Sequence, residues 1–481
     1  MDQEVFGRDR RHHFFEADPE NRKFGQAMTA NLDYAFDQYL RANEAKAVPA
    51  IRDFKEKLKQ PAFAYGRFTV PAFYKGYFIS PKQQHLLKRV SAAFHQIINT
   101  AVRLYFEEAQ LRSRFYLPPE AEELVKIDPG YSQNVVFSRF DALLEGESLK
   151  LLEFNCDAPA GAAYTDQLEA RFLEEPLVKP FAEEHHLTAS DRVQSVLTTL
   201  LSVYEEFGGY ETPQIAIVDW RNSRTAPESV YMKGHFESKG YKTTIADPRE
   251  LQYKGGKLYH KGFRVHLAYR RVLFDELLQR LDEVQDLLRA YKDKAVCMAN
   301  PLRARLVSGK SLFSLLTMPE CDRFFSENEN AMKRQHLPWT RCLADAEDFY
   351  GHRKVFLIDF LTDEKEAIVL KPAGENHGTR RVHIGRETPD ADWNAAVDKA
   401  LKEENWVIQE QIPVPIMTVP EIVNQKLDFM YRKYNFNILV SGGKYAGSFV
   451  RLSDESVVNV ATGGGLVPAL WSDVAPENFT A

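Results

Sequence analysis

Apolar residues recur at three- and four-residue steps over residues 31–58 and 82–108, and this spacing predicts two amphipathic helices. Pro49 lies inside the first and is expected to interrupt it, while Pro61, Pro71 and Pro81 break the chain between the two. Residues 61–80 are rich in aromatics and are expected to pack on a later domain. At residue 137 the period changes. The run FSRFDALLEGESLKLLEFNCDAPAG, residues 137–161, sets two apolar-rich stretches about Gly146-Glu147-Ser148, which predicts a β-hairpin with a three-residue loop. Helices follow over 164–174 and 187–207, the second with Ser190 or Asp191 as its N-cap.

The middle of the chain alternates. A buried strand at 214–220 (QIAIVDW), a helix at 228–239 and a strand at 241–246 form a β-α-β unit. A hairpin at 253–260 and a strand at 263–269 complete a small open α/β domain of parallel strands. Ligands sit beyond the carboxyl ends of the strands in such sheets. Arg221, Asn222, Ser223 and Arg224 fall in the loop there and are candidates for an anionic substrate, with a solvated loop the equal alternative. Residues 274–290 read as a charge-rich surface helix, and 300–309 lead to a helix that starts at Ser311 with Lys310 at its head.

Beyond residue 325 the pattern is mixed, then becomes strand-rich. A strand at 367–371 ends in Lys371-Pro372, runs into Ala373-Gly374-Glu375-Asn376-His377-Gly378-Thr379-Arg380-Arg381, and resumes at 382–384. Glycines there let backbone N–H groups approach phosphates, and Lys371 with Arg380 or Arg381 adds positive charge. A plain hairpin loop fits the same residues, and no P-loop is present. Strands at 406–413, 435–439, 446–452 and 457–460 precede the glycine run 462–465.

Composition narrows the picture. The chain has 481 residues with 44% apolar content, enough for two or three cored domains. A net charge of −6 implies no general basic surface for nucleic acid. The N-terminus has no apolar signal core, and no 18-residue apolar run is present, so neither secretion nor membrane spanning is expected. Cys156, Cys297, Cys321 and Cys342 are scattered and read as reduced thiols of a cytoplasmic protein. The candidate chemistry lies in the hairpin. Side chains alternate along a strand, so Arg139 shares a face with Asp141, and Glu153 with Asn155. If Glu145 pairs with Leu149, Asp141 lies opposite Glu153 and Arg139 opposite Asn155. Two adjacent carboxylates repel unless a cation sits between them, and an all-oxygen set of this kind suits Mg²⁺. From spacing alone, an exposed hairpin whose charges pair in solvent fits equally well.

Several motifs then converge. Arg139-Phe140-Asp141 with Glu153-Phe154-Asn155 resembles the R-x-D … E-x-N metal site of circularly permuted ATP-grasp enzymes, the glutathionylspermidine synthase-like ligases. Glu153-Phe154-Asn155-Cys156-Asp157-Ala158-Pro159 is similar to the E-Y-N-A-D-T-P run of that family. Lys310 resembles its first ATP lysine. Lys371, with the loop holding Gly374 and Gly378, resembles the second lysine and the phosphate cover. Gln409-Glu410-Gln411-Ile412 is similar to the adenine hinge, and Arg451 to a late active-site arginine. The resemblance spans roughly residues 130 to 470. It departs in having no match to the amidase domain, and Asn459 with Gly463-Gly464 is similar to the alternative metal end of unpermuted enzymes.

The resemblance implies an α/β (α+β) chain with a permuted ATP-grasp fold. Its parts would be a helical region 1–125, a core with the hairpin at 126–205, a preATP-grasp-like α/β domain at 206–300, and an ATP-binding lid with the rest of the core at 301–481. It implies ATP and Mg²⁺ as cofactors, with the metal on Asp141, Glu153 and Asn155. The implied reaction converts a small-molecule carboxylate to an acylphosphate, which an amine captures as an amide. Peptides and amino acids fall in that substrate class; nucleic acid and membrane do not. Arg139 would stabilise the charge. No strong general base for the amine emerges: His377 is in the right loop, but a surface loop histidine is the better reading of it. A catalytically silent scaffold that binds nucleotide or peptide, and a phosphotransferase on the same fold, are the other readings.

Overall fold

The computed structural model describes residues 32–60, 63–65, 68–344, 346–374, 382–403, 405–458 and 464–473. The first expected helix is two, Leu32–Ala42 and Glu44–Lys57. The break falls at Asn43 instead of Pro49. The Asn43 side-chain amide donates to the Tyr39 carbonyl at 2.9 Å, and the Asn43 carbonyl accepts from the Lys46 and Ala47 amides to start the second helix. Pro49 is accommodated inside that helix. The long helix Pro81–Glu107 begins at a reciprocal cap, in which the Ser80 hydroxyl accepts from the Gln83 amide and the Gln83 side chain accepts from the Ser80 amide. Its apolar stripe, including Leu87, Val90, Phe94 and Ile98, joins the main core.

Among the described residues the central sheet has eight strands. Its path runs Tyr77–Ile79, Gly465–Ser472, Lys444–Ser453, Lys426–Ser441, Phe137–Glu145, Ser148–Asn155, with Ile416–Val423 added to Lys426–Ser441 and Leu187–Thr188 to Gly465–Ser472. Early and late chain therefore share one sheet, and Tyr77–Ile79 runs parallel to Gly465–Ser472. Lys426–Ser441 is far longer than the expected 435–439, because its first half pairs with Ile416–Val423, a strand the pattern did not predict. That pair turns on Asn424 and Gln425, both with positive φ (49° and 68°), the conformation of a type I′ loop. Pro420 sits in the outer strand, where a missing N–H is tolerated.

The expected parallel strands are present. Cys297–Ala299, Leu267–Arg270, Ile215–Val218 and Thr243–Ala246 lie side by side in that order, all parallel. The stretch 263–269 is split between two sheets. Phe263–Val265 joins an antiparallel meander with Leu251–Lys254 and Lys257–His260, and Leu267–Arg270 enters the parallel sheet. The change occurs at His266, whose Nδ1 accepts from the Gln214 amide at 3.0 Å. The expected surface helix 274–290 is broken into Phe274–Leu278 and Gln285–Lys292, and the latter buries Leu287, Leu288, Ala290 and Tyr291.

A four-stranded antiparallel sheet orders Thr340–Cys342, Trp406–Glu410, Ile368–Pro372 and His383–Ile384. Helices Leu357–Asp363 and Asp390–Glu403 cover it through a separate apolar cluster of Phe360, Leu361, Trp393 and Trp406. One residue clamps the hairpin to the parallel sheet. The Asn300 side-chain oxygen accepts from the Val136 and Phe137 amides (2.9 and 2.7 Å), and its amide donates to the Phe137 and Cys156 carbonyls (2.7 Å each). Among the described residues no helix is long and apolar enough to cross a membrane.

Candidate active site

The hairpin closes on two residues, not three. Glu145 pairs with Ser148, and Gly146 takes φ +57° at the first loop position. Left at that register, Glu153 and Asn155 would turn away from Asp141 and Arg139. A β-bulge restores the alignment. Ala142 faces Leu151, but Asp141 faces Glu153 and Arg139 faces Asn155, so Leu152 is the extra residue. The bulge also frees the Leu152 carbonyl, which accepts from Lys371 Nζ at 3.4 Å.

Neighbouring strands continue the same face. Asn437 pairs in register with Asp141, and Asn435 with Arg451. Arg139 Nε donates to Asp141 Oδ1 at 2.8 Å, Asn155 Nδ2 donates to the same oxygen at 3.2 Å, and Arg451 Nη2 donates to Asp141 Oδ2. Arg451 is held in turn by Asn435 Oδ1 (3.1 Å) and Asn437 Oδ1 (2.7 Å). Burial alone would raise the Asp141 carboxyl, but the Arg139 and Arg451 guanidiniums outweigh it and hold the group at about 2.

The facing wall comes from the four-stranded antiparallel sheet and the helix beneath it. Lys310, at the head of helix Ser311–Thr317, donates to Glu153 Oε1 at 3.1 Å, and its backbone amide donates to the Ala373 carbonyl at 2.7 Å. Lys371 projects from Ile368–Pro372 and donates to Gln409 Oε1 at 2.8 Å. The other end of Gln409 donates to the Thr340 hydroxyl at 2.9 Å, which fixes which end of the amide faces the lysine. Burial, with the Lys310 charge nearby, pushes the Lys371 ammonium down to about 7.

The two walls enclose a cavity of about 310 Å³. Of the residues singled out in the sequence, Arg139, Asp141, Glu153, Lys310, Lys371, Gly374, Gln409, Glu410, Ile412 and Arg451 all line it. Asn155 stands beside it, bonded to Asp141. Arg221, Ser223 and Arg224 do not line it. Arg221 pairs with Glu250 while its amide donates to Asp247, and the Ser223 hydroxyl donates to Asp219 at 2.7 Å. Asp219 is buried and also receives the Thr225 and Ser229 hydroxyls, so this loop is knitted to its own domain. Gly378, His377, Arg380, Arg381 and Asn459 lie outside the described residues. Among the described residues no group of three or more His, Cys, Asp or Glu is arranged to hold a metal ion. Asn435 and Asn437 were not anticipated. Their signal is an N-x-N alternation on a strand, which amides share with many plain strands.

Residues 47–319, more than half of the chain, match the family described as Glutathionylspermidine synthase preATP-grasp. The chain belongs to that family. The match to the glutathionylspermidine synthase preATP-grasp family begins well before the hairpin and takes in helices whose pattern pointed to no function. The fold is similar to that of a glutathione synthetase-like effector from Globodera pallida in its apo form, with a TM-score of 0.59 and 14% identity, covering 88% of this chain and 96% of that one. A putative gamma-glutamylcysteine synthetase from Methylobacillus flagellatus aligns more loosely, with a TM-score of 0.39 and 11% identity over 79% of this chain and 88% of that one. No curated protein matches the chain in sequence. The ATP-grasp fold expected from the motifs is thus the fold of this family member.

Proposed function

We propose that this chain is an ATP-dependent ligase that joins a carboxylate to an amine through an acylphosphate. Its substrates would be small molecules, amino acids or peptides. The reading is carried by one observation: the Arg139, Asp141, Glu153 and Arg451 face of the central sheet and the Lys310–Lys371 pair line a single cavity. In this assignment the hairpin and residues 301–481 build the nucleotide site, with the base beside Val369, Ile384, Ile412 and Glu410. Lys310 and Lys371 hold the phosphates as point charges. Arg139 and Arg451, both held by Asp141 and the latter also by Asn435 and Asn437, meet the charge that develops on the transferring phosphoryl group and on the acylphosphate. Substrate approaches from the cavity side, and no residue is assigned as the base for the amine.

The residues fit Mg²⁺. Asp141 and Glu153 are register partners on one face and both line the cavity, and among the described residues Glu153 Oε2 accepts no hydrogen bond, so a carboxylate oxygen remains available there. A bound Mg²⁺ would supply charge neutralisation at phosphate oxygens.

A silent nucleotide-binding scaffold is the second reading, and the three donors already on Asp141 favour it. A screen of ADP release from magnesium-ATP, pairing small carboxylates and peptides with amino acids and polyamines, separates the two. The ligase reading expects release that needs both an acid and an amine, and a hydroxamate when hydroxylamine replaces the amine. ATP binding with no release for any pair would favour the scaffold. Asp141→Asn and Glu153→Gln are each expected to slow ADP release by about 10²-fold, the scale of losing one preorganised electrostatic contact. Unchanged rates in both variants would sink the assignment.

A further inference from the structure

Open parallel sheets take ligands in the crevice where connections leave two neighbouring strands toward opposite sides. Here that crevice lies between Leu267–Arg270 and Ile215–Val218, and the chain itself is seated in it. The occupant is the strap of residues 157–161, which leaves the hairpin at Asn155 and ends at helix Ala162–Leu173. Arg270, fully buried, holds the Asp157 carboxylate at 2.6 Å and the Asp157 carbonyl at 3.2 Å. Arg271 gives one guanidinium nitrogen to the Pro159 carbonyl at 2.8 Å and the other to Glu228 at 2.9 Å. Glu228, at the start of helix Ala226–Ser238, accepts from the Gly161 and Tyr164 amides at 3.0 and 3.3 Å. It therefore caps a helix that belongs to the other side of the joint.

The next carbonyl along the strap is held from the opposite side. Arg139 Nη1 donates to the Ala160 carbonyl at 3.3 Å while its Nε stays on Asp141. A guanidinium is planar, so each contact on one of its edges narrows the orientations it can take. The strap thus supplies one of the points that orient Arg139, and the strap is itself held by the parallel domain.

We propose that Arg271, together with Glu228, is a positioning residue that fixes the 157–161 strap and so sets the guanidinium of Arg139 in the cavity. The proposal rests on the ligase reading. It makes the parallel domain part of the catalytic apparatus without any of its side chains lining the cavity.

The test uses the full chain with Arg271→Lys, which keeps the charge and loses the fork, and Glu228→Gln, which keeps the shape and loses the charge. Three quantities are read: the Kd for magnesium-ATP by calorimetry, ADP release at saturating ATP with the best acid and amine pair, and the melting midpoint. The expected result is a Kd within twofold of the wild type, with ADP release down at least tenfold in Arg271→Lys and at least threefold in Glu228→Gln. A lowered midpoint with release per folded molecule within twofold of wild type in both variants would overturn the proposal, since that is a purely structural role. A loss of release that tracks a matching rise in Kd would overturn it as well. Should Arg271→Lys not fold, Glu228→Gln decides alone. A wild type that releases no ADP with any acid and amine pair, whether or not it binds magnesium-ATP, refutes the ligase reading instead, so the two failures are told apart.

Discussion

Lys371 donates to a side-chain amide and a backbone carbonyl, and among the described residues no carboxylate forms an ion pair with it. Burial, then the charge of Lys310, brings its pKa from 10.5 to about 7. The sign of the consequence is fixed. The folded chain binds fewer protons here than the unfolded one between pH 7 and 10.5, so this group alone makes stability rise with pH across that window. A phosphate beside the amine reverses the preference, because it favours the ammonium. Nucleotide binding is therefore expected to take up a proton above pH 7, and affinity to fall by up to about tenfold per unit as pH rises toward 9. Calorimetry at pH 8 in buffers of different ionisation heat measures the uptake, and Lys371→Met should abolish it. A wild-type affinity that stays flat from pH 6.5 to 9 would remove Lys371 from the phosphate site. At this scale the sequence was most legible where charge breaks an apolar alternation, as at Arg139, Asp141, Glu153 and Lys371. Asn435 and Asn437 stayed hidden because amides in a strand carry no such contrast, and because their partner Arg451 sits on the next strand.

The hairpin shows why elements are harder to read than residues. Its loop is one residue shorter than the Gly146-Glu147-Ser148 pattern suggested, and its second strand is one residue longer, at Leu152. The two differences cancel for Asp141 and Glu153, so the face was right although the register beside the turn was not. A bulge has no reliable mark in sequence, since any residue able to bend can supply it. The strap that follows carries a sharper constraint. Gly161 has φ +117°, and a Cβ built there would lie 2.7 Å from the Phe449 ring. Gly161→Ala is expected to destabilise by about 2 kcal/mol, from a disallowed backbone conformation together with the ring contact. Adding Phe449→Leu relieves the contact and leaves the backbone term, so the double variant should recover part of the loss in urea unfolding. Full recovery would mean that the backbone conformation contributes nothing, and no recovery that the ring does not matter.

For the whole molecule, local patterns and distant pairings had different fates. The β-α-β domain was legible because each strand meets a partner within a few dozen residues. The central sheet was not, since Tyr77–Ile79 pairs with Gly465–Ser472 and Phe137–Glu145 with Lys426–Ser441, partners whose mutual fit no local window contains. The early helices are fastened to this sheet by a buried charge. Lys75, with a fully buried side chain, donates to Asp37 Oδ1 at 2.5 Å and to the Asp33 carbonyl at 2.6 Å, and Asp37 also accepts from the Thr418 hydroxyl. Helix Leu32–Ala42, the segment before Tyr77–Ile79 and the strand Ile416–Val423 thus meet at one ion pair. Removing one partner leaves the other charge buried without compensation, so Lys75→Met is expected to destabilise by about 3–5 kcal/mol. Removing both charges avoids that penalty. The double variant Asp37→Asn, Lys75→Met should therefore be less destabilised than the sum of its single changes, with a coupling of about 1–3 kcal/mol in urea unfolding. Strict additivity would show that the pair does not fasten the helix, and that the packing of Phe36 and Leu40 alone holds the early chain to the sheet.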